Sequence, residues 1–533
     1  DKNAGKAEQS VVSAFSDYKQ QVLDQLKSTM EDANAAFYTD LPREQQAYLS
    51  YIVNDILTQN GVLDQNAIDT SDATYKNWKE DEQINVYTYL NYAISQNWID
   101  TSGLQKYVDN AAAYSDASEI YKAIINYVQD RLASDKTFDK LIYRYMIKAG
   151  SVSGQEIAMI LYEQGVLEYD SSQYEALASG SVSAYDFIRG KLQTLDITPG
   201  QLGLEPCTGS MVVTDPDNGK VLACVSYPGY DNNRLTNNMD TDYYAKLSTD
   251  LSSPFFNKAT QQRTAPGSTL KILSTVAGMS EGVIDDNTYI ECTGSFDLVT
   301  PPINCWNKQG HSSLEIRGAI EQSCNVFFST IGFELGKDSE GNFSEARSLG
   351  MLQKYASLMG LDRKTGIEIS EASPQVSDKN AVPSYIGQGT NLFTTSQLAR
   401  YATTIATSGS IYKLSLLNRV TDSKGNLVKE YPSEKEGQLD IASNIWDDIH
   451  DGMYRVVQTH DQFNGLGVEA AGKTGTAEID YYHPNNALFI GYAPASEPKY
   501  AISVRIANGY ASGNACLAAN DIFKYIFGLA DES

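Results

Sequence analysis

Apolar residues recur at helical spacing through the first two hundred positions of the chain. Across residues 11–38 they fall at Val12, Phe15, Tyr18, Val22 and Leu26, one face of a helix. Residues 48–57, 84–98, 118–132 and 138–149 repeat that character, and Ser118 followed by acidic Glu119 reads as a helix start. Gly and Pro are sparse here, and there is no internal repeat of fixed period and no low-complexity tract.

The pattern changes near Ile197-Thr198-Pro199-Gly200. Two β-branched runs within 210–226 flank Asp215-Pro-Asp-Asn-Gly219, whose residue types favour a tight turn, so a hairpin is expected. A second strand pair is expected at 487–492 and 500–506 around Pro494-Ala-Ser-Glu-Pro498, and a last helix over 514–527. Strands at both ends of a region with helices between them predict a mixed, mostly antiparallel sheet covered by helices. The expected organisation is therefore a helix-rich N-terminal domain, 1–200, of unread function, followed by an α/β mixed domain, 205–533.

A length of 533 residues fits two or three domains rather than one core. With 42% hydrophobic and 20% charged residues the chain has the balance of an ordinary globular protein. The 35 Tyr suit large helical surfaces, because a phenol packs and hydrogen-bonds at once. A net charge of −26 repels a phosphate backbone, so no nucleic-acid partner is expected. No run of about 18 apolar residues is present to cross a membrane. The chain starts Asp1-Lys2, as a piece cut from a longer protein with an upstream anchor would.

None of the six Cys forms a Cys-x-x-Cys pair, and no His-x-x-x-His or carboxylate cluster is present, so neither a metal nor a cofactor is expected. Cys292 and Cys305 flank a short segment and are a candidate disulfide in an oxidising compartment. The other four Cys read as small buried apolar side chains.

Candidate chemistry begins at Ala265-Pro266-Gly267-Ser268-Thr269-Leu270-Lys271. Pro and Gly end a loop and an apolar helical run follows, so Ser268 sits at a helix start with Lys271 one turn along on the same face. A Ser hydroxyl becomes a useful nucleophile when a base takes its proton, and a Lys with a depressed pKa can be that base. The spacing alone is weak, since Ser-x-x-Lys also begins at Ser16, Ser410 and Ser496. Two companions strengthen it. In Ser323-Cys324-Asn325 the hydroxyl can relay a proton and the amide can bond both a substrate carbonyl and the Lys, although Ser512-Gly513-Asn514 shares the pattern. In Gly472-Lys473-Thr474-Gly475-Thr476-Ala477 small and hydroxyl residues suggest a strand edge open to an extended ligand. There Lys473 would draw an anionic group and Gly475 would admit substrate backbone. The second Lys-Thr-Gly, at Lys364, reads as a helix-exit loop. A Ser-His-Asp triad lacks a Gly-x-Ser-x-Gly elbow, and His311 reads as a structural loop residue.

The order of these three elements, with Asp215-Pro-Asp-Asn-Gly-Lys-Val-Leu-Ala223, Ser226-Tyr-Pro-Gly-Tyr-Asp-Asn-Asn233, Asn257-Lys258-Ala259, Gly387-Gln388-Gly389 and Phe489-Ile-Gly-Tyr-Ala-Pro494, resembles the class B penicillin-binding proteins over about 208–530. The resemblance implies a penicillin-binding transpeptidase domain with a central five-stranded sheet flanked by helices. It implies that Ser268 attacks a D-Ala-D-Ala stem peptide, with Lys271, Ser323, Asn325 and Lys473 completing the catalytic set. Thr474, Gly475 and Thr476 would bind substrate, and the backbone N–H groups of Ser268 and Thr476 would form the oxyanion hole. Implied partners are peptidoglycan stem peptides, β-lactams and a membrane-embedded glycan polymerase, at the extracytoplasmic face of the bacterial cell membrane. The sequence departs from the family in having Leu488 for an aromatic and Lys258 for an Arg, and in residues 1–200, which do not match the usual strand-rich pedestal. A D,D-carboxypeptidase, a β-lactamase and a non-catalytic β-lactam sensor or scaffold share the same motifs and stay open at this point.

Overall fold

In a computed structural model, which describes residues 5–108, 116–194, 196–197, 207–479 and 483–529, the chain forms two compact units, Asp1–Thr198 and Pro199–Ser533.

The first unit is helical. Its core gathers around the long helix Lys6–Glu31 and the helices Arg43–Tyr51, Val86–Ser95, Ala117–Ser134 and Lys136–Lys148. Amphipathic spacing produces this packing, although the buried face of the first helix runs through Val11, Val22, Leu26 and Met30 while Val12 is exposed. That helix stops at Glu31, short of Tyr38, and the helix expected to start at Ser118 is capped by the Asp116 carboxylate, which accepts from the Glu119 N–H at 2.8 Å. Three further helices, Gly154–Glu163, Ser171–Ala178 and Ala184–Gln193, went unread in the sequence. The first of them carries a capping box, Ser153 with Glu156, a signal that would have found it. Tyr side chains pack and bond in the expected way: Tyr121 is buried, and its hydroxyl donates to the Met30 carbonyl at 2.6 Å.

The second unit is built on a five-stranded antiparallel sheet of β1 (Gly209–Thr214), β2 (Val221–Tyr227), β3 (Ala471–Ala477), β4 (Asn486–Ala493) and β5 (Tyr500–Ile506). The spatial order is β3-β4-β5-β1-β2, so the first and last strands of the unit pair inside the sheet and β3 is an edge. The expected hairpin joins β1 to β2, its turn closed by the Asp215 carboxylate, which accepts from Asp217 N and Asn218 Nδ2 at 3.0 and 2.6 Å. The helices that matter for the site are α1 (Lys271–Ser280), α2 (Ile316–Glu321), α3 (Asn325–Leu335), α4 (Thr395–Ala406), α5 (Ser443–Thr459) and α6 (Ser512–Ile526). The α4 helix packs on β1, β4 and β5, and α6 packs on β3, β4 and β5.

The α1 helix is buried from Lys271 to Gly278 and touches α3 and α5, so it is a core helix rather than an amphipathic surface one. Its small residues make this possible. A Cβ on Gly278 would lie 2.9 Å from Ile331 Cγ2 of α3. The sheet and helix layers thereby fix the base of α1 against the edge strand β3, and that is where the candidate residues meet.

Candidate active site

Ala265-Pro266-Gly267 prevents α1 from extending backwards as a regular helix, and residues Gly267–Leu270 instead make a tight 3₁₀ turn that carries Ser268. Gly267 has φ +53°, and a Cβ there would stand 2.6 Å from the Thr476 carbonyl oxygen, so only glycine lets this turn press onto β3. The turn is tied from behind by the Gly267 N–H, which donates to the Gly387 carbonyl at 3.1 Å. Gly475 serves the same contact from the strand side: a Cβ on it would meet Pro266 O and Thr269 Cγ2, both at 2.9 Å. The close approach that Gly475 permits here is that of the turn carrying Ser268.

Lys271 is fully buried one residue beyond the turn. Its ammonium donates to Asn325 Oδ1 at 2.7 Å, to the Ser323 carbonyl at 2.7 Å and to Ser323 Oγ at 3.2 Å. Burial pushes its pKa down to about 8, because no carboxylate repays the lost hydration. Ser323 lies in the connection between α2 and α3 with φ +51°, a left-handed conformation that costs a non-glycine residue about 1 kcal/mol or more. That conformation turns both its carbonyl and its hydroxyl to Lys271.

Lys473 reaches the same hydroxyl from β3, its ammonium 3.0 Å from Ser323 Oγ and 3.2 Å from the Thr474 carbonyl. It is fully buried, and burial and then the neighbouring Lys271 hold its pKa well below the usual Lys value. Its ammonium bonds Ser323 beneath the surface, and Thr474 and Thr476 line the cleft. A cleft of about 610 Å³ lies above this network, lined by Ser268, Ser323, Asn325, Thr474, Thr476 and the indole of Trp306. All three sequence elements thus share one cleft. Neither Trp306, which is 63% exposed, nor His460, which lines the same cleft, was singled out in the sequence, and neither carries a motif that would have marked it.

The candidate disulfide between Cys292 and Cys305 is not formed. Cys292 and Cys305 are free thiols, each 3.5 Å from Nδ1 of His311, and Cys324 completes a cluster whose four donor atoms lie within 4.8 Å of one another. Three sulfurs and one imidazole nitrogen make the donor set of a closed tetrahedral zinc site. The thiol hydrogen bond from Cys324 lowers the pKa of Cys305, which favours the thiolate that a metal ligand needs. Sequence spacing hid this set because no two Cys are three apart and the ligands come from a loop and from the centre of Ser323-Cys324-Asn325. The cluster also abuts the Lys271 network: the Asn325 N–H points to Cys305 Sγ at 3.4 Å, and Asn325 Nδ2 donates to the Asn304 carbonyl at 2.9 Å.

Residues 209–528 match the family described as penicillin binding protein transpeptidase domain. The peptidoglycan D,D-transpeptidase MrdA of Haemophilus influenzae is 29% identical over 364 residues, 60% of this chain and 52% of that protein. The peptidoglycan D,D-transpeptidase PbpA of Mycolicibacterium smegmatis is 29% identical over 316 residues, 57% of this chain and 62% of its own length. Among solved structures, Pseudomonas aeruginosa PBP2 in complex with WCK 5153 has 26% identity and a TM-score of 0.52, covering 61% of this chain and 71% of that one. The chain spans about half the length of the MrdA proteins it matches, which are covered over 50% to 52%.

Proposed function

The chain belongs to the penicillin-binding protein transpeptidase family, in its class B branch, and from that premise we propose that it is a serine D,D-transpeptidase acting on peptidoglycan stem peptides. The observation that carries the reading is the paired burial of Lys271 and Lys473 on one hydroxyl, Ser323 Oγ, beside the Ser268 turn. Two ammonium groups forced together in a dry site lose proton affinity, and a neutral amine beside a Ser is a base.

In the proposed cycle Ser268 Oγ attacks the carbonyl of the penultimate D-Ala while its proton passes to neutral Lys271. The backbone N–H groups of Ser268 and Thr476 receive the oxyanion, each such donor contributing about 3 kcal/mol. Ser323 carries a proton from the lysine pair to the departing D-Ala amine, and the acyl group stays on Ser268 as an ester. An amine from a neighbouring stem then displaces Ser268 and forms the cross-link. β-Lactams enter by the same attack, and their acyl-enzymes persist. Thr474 and Thr476 hydroxyls bind the terminal carboxylate, with Lys473 reinforcing them through its field rather than by contact. The cysteine–histidine cluster stays outside this chemistry. Cys292, Cys305, His311 and Cys324 would hold a zinc ion with four protein donors, and it would supply structural cross-linking there.

The D,D-transpeptidase names of MrdA and PbpA support this activity for the matched region. An extracytoplasmic site of action and a membrane-embedded glycan polymerase as partner belong to the same proposal. Among the described residues no helix is long and apolar enough to cross a membrane. The test is a fluorescent penicillin. A long-lived adduct that Ser268→Ala abolishes, with folding stability unchanged within about 0.5 kcal/mol, is the expected result. Labelling that survives the substitution refutes the nucleophile, and rapid turnover of the drug points to a β-lactamase.

A further inference from the structure

The charged side chains that line the cleft above Ser268 are Glu321 and Glu478, both carboxylates, and no Lys or Arg lines it among the described residues. His460 lines it too, and burial first of all lowers its pKa, so the imidazole adds little positive charge at neutral pH. The positive charge of the site lies lower down, on Lys271 and Lys473, which are fully buried around Ser323 Oγ. The cleft therefore has a cationic floor and an anionic rim, and its field favours a ligand with a carboxylate at one end and an ammonium further along. Strand geometry fixes where along β3 that ammonium belongs. Thr474, Thr476 and Glu478 follow one another at intervals of two, the period that returns side chains to one side of a strand, and all three line the cleft. Glu478 comes directly after the last residue of β3 and is exposed.

We propose that Glu478 is a specificity residue that selects acyl donors carrying an ammonium on the N-terminal side of the scissile bond. The inference rests on the acyl-transfer reading, which sets the direction of the donor. With the terminal carboxylate at the Thr474 and Thr476 hydroxyls and the oxyanion at the Thr476 N–H, the rest of the donor runs along the edge of β3 past Thr476 towards Glu478. Two residues of strand span about 7 Å, so Glu478 stands beside the part of the donor one or two residues upstream of the carbonyl that Ser268 attacks. An ammonium there meets an unlike charge, and a carboxylate there meets a like one. Glu321 is placed differently. It ends α2, and its carboxylate accepts from Gln322 Nε2 at 3.1 Å, so it belongs to the wall that carries Ser323 and not to the strand edge along which the donor lies. Because β-lactams enter by the same attack, the acyl side chain of a penicillin takes the place of the upstream part of the donor, and a charge on it is sorted by the same carboxylate.

The experiment uses the full chain and three penicillins that share a phenylacetyl side chain and differ in one substituent on its α-carbon: an ammonium in ampicillin, a carboxylate in carbenicillin, a hydrogen in benzylpenicillin. Second-order acylation rate constants are read by competition with fluorescent penicillin. The ampicillin-to-carbenicillin ratio is then compared between proteins, which cancels the intrinsic reactivity of each drug. Glu478→Gln should lower that ratio at least fivefold in about 20 mM salt, and Glu478→Lys should lower it further. In about 500 mM salt the difference between wild type and Glu478→Gln should shrink, because an exposed charge is screened. Benzylpenicillin labelling of each variant verifies a folded, reactive site. A ratio that Glu478→Gln and Glu478→Lys leave within about twofold of wild type, or one that Glu321→Gln lowers as much as Glu478→Gln does, overturns the assignment to Glu478. A wild-type chain that none of the penicillins acylates at Ser268 fails the parent reading instead, so the two failures are separable.

Discussion

Replacing Asn325 by Asp changes one atom's chemistry at the point where the Lys271 base is held. Asn325 Oδ1 sits 2.7 Å from Lys271 Nζ, and the substituted carboxylate occupies the same volume. In the wild type, burial sets the Lys271 pKa at about 8, so about 10% of the protein holds the neutral base at pH 7 and about 1% at pH 6. Acylation by a β-lactam should therefore climb nearly tenfold per pH unit up to about pH 7.5 and level off above about 8.5. A full negative charge about 4 Å away contributes about 4 kcal/mol at an effective dielectric of about 20, equivalent to about three pH units. Asn325→Asp should move the acid limb to higher pH by one to three units, about that order, and slow acylation at pH 7 by tenfold to about a thousandfold. The assay is the second-order rate constant of fluorescent-penicillin labelling from pH 5.5 to 10.5. The limb position is the readout, because loss of the amide donor lowers the plateau without moving the limb. A flat wild-type profile, or a limb that the carboxylate leaves in place or moves to lower pH, refutes Lys271 as the base.

Gly267→Ala should destabilise the second unit by about 2 kcal/mol or more, because it adds a methyl 2.6 Å from Thr476 O at φ +53°, and thermal melts together with penicillin labelling would register both the stability loss and the detached turn. Protein produced with zinc should carry about one equivalent, measured by elemental analysis. Cobalt exchanged into it should show thiolate-to-metal charge-transfer absorption that Cys292→Ser weakens. Stripping the metal with a strong chelator should lower the melting temperature by the loss of about 3 kcal/mol of binding linkage, and an unchanged melt with no bound metal would reject the site.

What the sequence revealed and what it concealed divide along a physical line. The Asp215–Gly219 turn, the β4–β5 pair and the Ser268–Lys271 helix start were legible because each is fixed by neighbours in the chain: turn chemistry, period-two runs, a Pro-Gly break before an apolar helix. The five-stranded sheet and the convergence of the three motifs came from the family resemblance, since β3 meets the Ser268 turn, and β5 pairs with β1, only after long intervening stretches fold. Val12 was misread because every third or fourth apolar residue looks equally inward until the partner helix is known. The cysteine cluster was invisible for a stronger reason. Its donors lie at positions 292, 305, 311 and 324, with no short spacing between any two, and only the loop before α2 brings them within 4.8 Å.

The direction in which Lys473 points explains why this site needs so much buried charge. An exposed lysine would grip an anionic ligand well but would stay protonated, and it would leave Lys271 protonated too. Turning Lys473 inward to share Ser323 Oγ with Lys271 gives up direct contact with the ligand and gains two amines of reduced proton affinity. The hydroxyls of Thr474 and Thr476 can take over the contact without titrating. The arrangement destabilises the fold, because each buried ammonium is favoured in the unfolded chain below its ordinary pKa near 10.5. For Lys271 that deficit is present in full below about pH 8 and fades as pH rises towards 10.5. Lys271→Met should accordingly be inactive yet gain stability relative to wild type at pH 7, with the difference shrinking between pH 8 and pH 10.5. Chemical denaturation of both proteins across that range measures it. A variant that is less stable than wild type by a constant margin at every pH would mean that the hydrogen bonds to Ser323 and Asn325 outweigh the desolvation of the ammonium, and that burial is not what makes Lys271 a base.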